Sequence, residues 1–144
     1  MVMLLLGNGR FDFEVVGESY CQPSLRNLAG PQRAEGHDLD CLAALIFDDQ
    51  NRFDPKAVGV AIVRRDRSIV PIGYLARAQA RKYRTCVADV GKPDPQGMLC
   101  RAKIIGGWRD ADGRTGQYGV RLDLKLPLSF GTVAAWTNWS QRLL

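Results

Sequence analysis

Histidine is almost missing from this 144-residue chain: His37 stands alone, in a loop of Gly, Glu and Asp. A catalytic triad built on histidine and a multi-histidine metal centre are both excluded by that count. Four cysteines are present, Cys21, Cys41, Cys86 and Cys100, but none pairs in a Cys-x-x-Cys arrangement. Free, buried thiols are expected rather than a zinc site. No apolar run approaches the length of a bilayer span, and Val2 to Leu6 has neither the charged flank nor the cleavage site of a signal peptide. A cytoplasmic protein with no membrane partner is therefore expected. Internal repeats and linker-like stretches are lacking too, so one domain with a real core is expected.

Cationic charge is what the chain has in excess. The formal net charge is +5, and Arg greatly outnumbers Lys. The planar donor fork of Arg suits phosphate and stacks on bases, which makes nucleic acid a reasonable partner class.

Periodicity reads mostly as strands. Phe11, Phe13 and Val15 alternate with Asp12 and Glu14 up to Gly17. Pro23, Leu25 and Leu28 predict a short helix that Gly30 stops. Leu39, Cys41, Ala43, Leu45 and Phe47 keep period two, and Ala57 to Val63 is a continuous apolar run. Arg64 to Ser68 reads as a hairpin loop returning into Ile69 to Leu75, where Pro71 demotes part of the strand to an edge or a bulge. Ala76, Ala80, Tyr83 and Val87 then share a helical face, with Arg77, Arg81 and Arg84 on another. Gly91 to Gly97 reads as a loop. Cys100 to Ile104 and Tyr118 to Leu124 predict an antiparallel hairpin around a Gly-rich tip. Five or six mostly antiparallel strands with about two helices predict a mainly β protein, a small closed OB-like or SH3-like barrel. The barrel domain spans 11–126, after an N-terminal extension over 1–10. The tail, 127–144, carries Val133, Trp136, Trp139 and Leu143 at helical spacing, to cap the barrel or to meet a partner.

The centre of the sequence is Asn51-Arg52-Phe53-Asp54-Pro55-Lys56, a polar turn running straight into the 57–63 strand. Asn51 and Asp54 can bond their own backbone, and Pro55 drives Asp54 from the helical region, so the turn is stiff. Phe53 either drops into the core or stays at the surface to stack. The Arg77, Arg81, Arg84 stripe has no carboxylate within its helix until Asp89, which favours phosphate contact over a merely solvated face. Asp38 and Asp48 lie roughly 30 Å apart along one strand and cannot share a metal. Asp48, Asp49 and Asp54 could still meet, which keeps a metal-dependent nuclease as a low-ranking alternative. Gly106, Gly107 and Gly113 lack the context of a phosphate-binding loop and read as turn residues.

Together these pieces resemble a HIRAN domain. The residues that carry the resemblance are Val15-Val16-Gly17-Glu18-Ser19-Tyr20, Asn51 to Val60, Ile72-Gly73-Tyr74-Leu75 with the following helix, and Ala102 to Gly107. They fall in family order across about residues 11 to 126. The resemblance implies an OB-like barrel, without catalysis, cofactor or metal, that holds the 3′ end of single-stranded DNA. It implies a DNA-repair, replication-stress or nuclease-associated setting, with a helicase or nuclease partner. On that resemblance Tyr20 and Phe53 stack, Asp54 receives the terminal hydroxyl, and Arg77 stands for a family Lys. Tyr74 stands for a family His, Ser19 replaces a family Arg, and Tyr118 matches a late aromatic. Asn51, Lys56 and Arg81 complete the nucleic-acid-binding set. The alternative is a protein-interaction module that uses the barrel face and the tryptophan tail. A monomer or weak dimer is expected.

Overall fold

The computed structural model describes residues 3–91 and 98–144; of the side chains within 133–136, that of Ala135 is described. Six antiparallel strands close into a barrel: β2 (Phe13–Val16), β3 (His37–Asp48), β4 (Ala57–Val63), β5 (Ile69–Leu75), β6 (Met98–Gly106) and β7 (Tyr118–Asp123). Their order is β6-β3-β4-β5-β2-β7, and a β6–β7 ladder from Arg101↔Asp123 to Gly106↔Tyr118 completes the ring. Closure leaves no free edge between the first and last strand.

The seventh strand, β1 (Met3–Leu5), comes from the segment read as an extension outside the barrel. It pairs parallel to β6 at Met98 to Cys100, just where β6 parts from β7. Leu4 and Leu5 are both buried. This placement explains a departure from period two in β3. Its first half alternates, but Cys41 to Leu45 is buried on both faces. Cys41, Ala43 and Leu45 point into the barrel, while Leu42 and Ala44 join Leu4, Val63, Leu99 and Trp139 in an outer cluster.

Helix α1 (Gln22–Ala29) starts with Pro at its first turn, ends at Gly30 and inserts Leu25 into the inner core. Helix α2 (Arg77–Asp89) inserts Ala80, Tyr83 and Val87. The tail forms α3 (Val133–Trp139), whose Trp139 is buried against the outer face of the sheet. The Trp136 side chain and most of the Gly91–Gly97 loop lie outside the described residues. All four cysteines are free; Cys41 and Cys100 are buried, whereas Cys21 and Cys86 are only half-buried. Burial pushes the Cys41 thiol up to about 12 and raises that of Cys100 as well.

Pro71 produces the expected irregularity. The β4–β5 register shifts between Val60 and Ala61, opposite Gly73 and Pro71. Two residues on, Gly73 has φ 153°, and a Cβ there would lie 2.6 Å from both Val15 Cγ1 and the Val16 carbonyl. Only glycine lets β2 cross this close to β5. That crossing delivers Gly17 and the 3-10 turn Glu18–Cys21 to the end of β5, beside Tyr74.

Candidate functional site

The β3–β4 turn is built as an Asx turn. Asn51 Oδ1 accepts from the Phe53 and Asp54 amides at 2.9 and 3.0 Å, and Asp54 Oδ1 accepts from the Lys56 amide at 3.0 Å. With its amides tied inward, the turn throws Phe53 outward. That ring is 92% exposed, so it is not a core residue. Tyr20, on the turn after β2, is 91% exposed. Two aromatic rings this bare are not held by packing.

Between the Tyr20 turn and β4 runs an open, largely apolar groove of about 500 Å³, with Tyr20, Cys21, Gly59, Pro71 and Tyr74 in its lining. At its rim the Tyr74 hydroxyl donates to Asp48 Oδ2 at 3.0 Å, and Asn51 Nδ2 donates to the same oxygen at 3.1 Å. The bond to Asp48 raises the Tyr74 pKa above its ordinary value. Asn51 therefore joins the groove to the turn through its two ends: its amide nitrogen fixes Asp48, and its oxygen fixes Phe53 and Asp54.

On its other side the turn meets α2. Arg81 grips the Asp54 carboxylate with both terminal nitrogens, at 3.2 and 3.3 Å, and Arg77 Nε lies 3.6 Å from Oδ2. These bonds, Arg81 first and then the Lys56 amide, hold the Asp54 pKa below the ordinary carboxylate value. Arg84 donates to the Lys56 and Ala57 carbonyls at 2.7 and 2.8 Å, pairs with Asp49 at 2.9 Å, and lies 4.0 Å above the Phe47 ring.

The arginine stripe thus has carboxylates after all. They come from the facing turn, 27 residues away in the case of Asp54, where a search along the helix for i,i+4 partners does not look. Arg84 is a clamp on the turn. Arg77, with its side chain 72% exposed, and Arg81 keep surface at the site.

Tyr20 and Tyr74 line the groove, Asn51 joins it to the turn, and Phe53 and Asp54 stand on that turn with Arg77 and Arg81 against Asp54, while Ser19 and Lys56 are exposed. Tyr118 is at neither place. It is 1% exposed, its hydroxyl donates to the Gly30 carbonyl and its ring packs against His37 at 5.2 Å. An aromatic inside an alternating strand points inward with its apolar neighbours, and the ring cannot reach a base there. Trp139 is likewise committed to the outer cluster, which removes it from any docking role of the tail. Asp48, Asp49 and Asp54 serve three different sets of donors, and no group of three possible metal ligands forms among the described residues. The groove itself, and the part Cys21 and Pro71 play in it, are absent from the sequence reading; the bulge expected at Pro71 was the available signal.

No protein-family model matches the chain, and no curated protein does. A solved structure of a protein from Lactobacillus plantarum covers 85% of this chain and 97% of its own, at 21% identity and a TM-score of 0.39. A likeness of that size carries no functional argument. Among the described residues no helix is long and apolar enough to cross a membrane.

Proposed function

We propose that this barrel is a non-catalytic module that holds single-stranded DNA at its 3′-hydroxyl end. The observation that carries the reading is the bare Phe53 ring on the turn that also carries Asp54, held against Arg77 and Arg81, with the equally bare Tyr20 ring lining the groove that Asn51 joins to this turn. Stacking on such rings contributes about 1–3 kcal/mol per base and tolerates any sequence. Arg77 and Arg81 supply the cations that a phosphate backbone needs, and Asp54 supplies an acceptor for a terminal hydroxyl. The resemblance to HIRAN domains supports the same assignment at Tyr20, Phe53, Asp54 and Arg77, but not at Ser19, where the family's Arg is lost, nor at the buried Tyr118. A role in DNA repair, replication stress or work beside a helicase or nuclease follows from that resemblance.

The test is titration of a short 5′-labelled oligothymidylate at several salt concentrations. For two or three neutralised phosphates, log K falls against log salt with a slope of about −1.4 to −2.1. A slope near zero, or no binding, overturns the reading and leaves a protein-interaction module as its successor.

A further inference from the structure

We infer that the bound strand leaves the terminal site across α2 and lays an upstream nucleotide in the hollow between α2 and the Leu126–Pro127 corner. This inference rests on the reading of the turn as a DNA-end site and adds the strand's path and footprint.

Two routes lead away from Asp54. One is the groove between Tyr20 and Tyr74, where among the described residues the lining contains a single charged side chain, Asp48, and no cation. A base fits there; a run of phosphates does not. The other route crosses α2. Arg81 binds Asp54 on one side and on the other lines an open hollow of about 470 Å³. Lys82, Thr85, Cys86, Leu126 and Pro127 join it in that lining, which among the described residues contains two cations and no carboxylate.

Lys82 is exposed and has no ion pair among the described residues, unlike Arg77, Arg81 and Arg84. Leu126 and Pro127 give a base an apolar surface, while Arg81 and Lys82 give its phosphates charge. Arg81 belongs to both sites, so the path is continuous. The terminal base then sits toward the groove, the 3′-hydroxyl at Asp54, and the 5′-ward chain over α2. The whole footprint comes to about four to six nucleotides, at the short end of what one OB-type barrel covers.

A ladder of 5′-labelled oligothymidylates from two to ten nucleotides tests this against the parent and Lys82→Glu. Lys82 lies outside the terminal site and its side chain is exposed, so the charge reversal leaves the fold intact, checked by thermal melting. The parent's affinity should climb with length to about four to six nucleotides and then level off. Lys82→Glu should match the parent on two- and three-nucleotide strands and bind the longer ones at least about five-fold more weakly. Equal curves for the two proteins, or a loss shared by every length, overturn the path while leaving the terminal site standing. A parent that binds no oligonucleotide overturns both.

Discussion

Arg81 and Asp54 meet as a two-pronged pair, Nη1 to Oδ2 at 3.2 Å and Nη2 to Oδ1 at 3.3 Å, joining the β3–β4 turn to α2. The fork geometry fixes the direction of the carboxylate as well as its charge. One consequence is that Asp54 does not wait as a naked anion at the surface. Its side chain is only 16% exposed, and it already accepts from Arg81 and the Lys56 amide.

Acid sensitivity follows from this pairing. A carboxylate whose folded pKa is depressed contributes stability that is present above its unfolded value, about 3.9, and lost as pH falls through the lower folded value. Glu18 works the other way. Burial raises its pKa, against the Val120 amide and Arg121, which lower it, with Glu14 adding to the rise. Its contribution is greatest below the ordinary glutamate value and declines as pH rises through that value to the raised one. Across a pH series from 2.5 to 7, the fall in melting temperature below about pH 3.9 should therefore be shallower in Asp54→Asn than in the parent. In Glu18→Gln the melting temperature should instead lose a decline above about pH 4.3. Profiles identical to the parent's would remove both carboxylates from the stability of the fold.

Phe53 separates binding from folding. With its ring bare, Phe53→Ala should change stability by no more than about 0.5 kcal/mol. The same substitution should weaken a short oligothymidylate by about 1–3 kcal/mol. Melting and titration on the one variant check both. A large loss of stability with unchanged binding would return the ring to a packing role.

How much of this could be read from residues alone depends on how local the cause is. The strands, the two longer helices and the Asx turn follow from periodicity, from Pro23 and Gly30, and from Asn51 bonding the amides two and three residues on; all act within a few residues. The position of β1 could not be read, because Met3 to Leu5 is too short to advertise a partner and its place depends on β6 parting from β7. The burial of Tyr118 was legible in principle. It heads an alternating strand whose apolar members all point inward, and that pattern outweighs a late-aromatic match. The pairing of Arg77, Arg81 and Arg84 was not legible, since their carboxylates come from a turn brought alongside only by the closed barrel.

Arg84 and Arg77 should behave as opposites although they lie on one stripe. Arg84 donates to two backbone carbonyls of the turn and covers Phe47, so Arg84→Ala should cost about 1.5–3 kcal/mol of stability. Lys cannot reproduce the fork and should restore little of it. Arg77→Ala should leave melting nearly unchanged, because an exposed ion pair contributes about 0–1 kcal/mol. It should instead flatten the salt dependence of DNA binding by about one contact. Loss of salt dependence in Arg84→Ala with its stability intact would reverse the two roles.

The final prediction concerns the strand end. An ionised carboxylate only accepts hydrogen bonds, so a 3′-hydroxyl can donate to Asp54, whereas a fully ionised 3′-phosphate cannot. The loosest of the present contacts, Arg77 at 3.6 Å, is the one a terminal hydroxyl would displace, freeing that cation for the neighbouring phosphate. Beside an isolated carboxylate at ~4 Å, each phosphate charge would be repelled by about 4 kcal/mol at an effective dielectric near 20. Arg77 and Arg81 offset most of that, so the discrimination should be modest, below about tenfold or 1.4 kcal/mol. The expected order is 3′-hydroxyl tightest, then a circular strand, then 3′-phosphate. Asp54→Asn should close the gap between the two linear ends, since its amide can donate to phosphate. Arg77→Ala should widen it, since one offsetting cation is gone, even as overall affinity falls. Competition titrations with the three strands give the ratios directly. Equal affinity for all three in the parent would leave a single-strand binder without end preference, and a gap unchanged by Asp54→Asn would make Asp54 a turn former only.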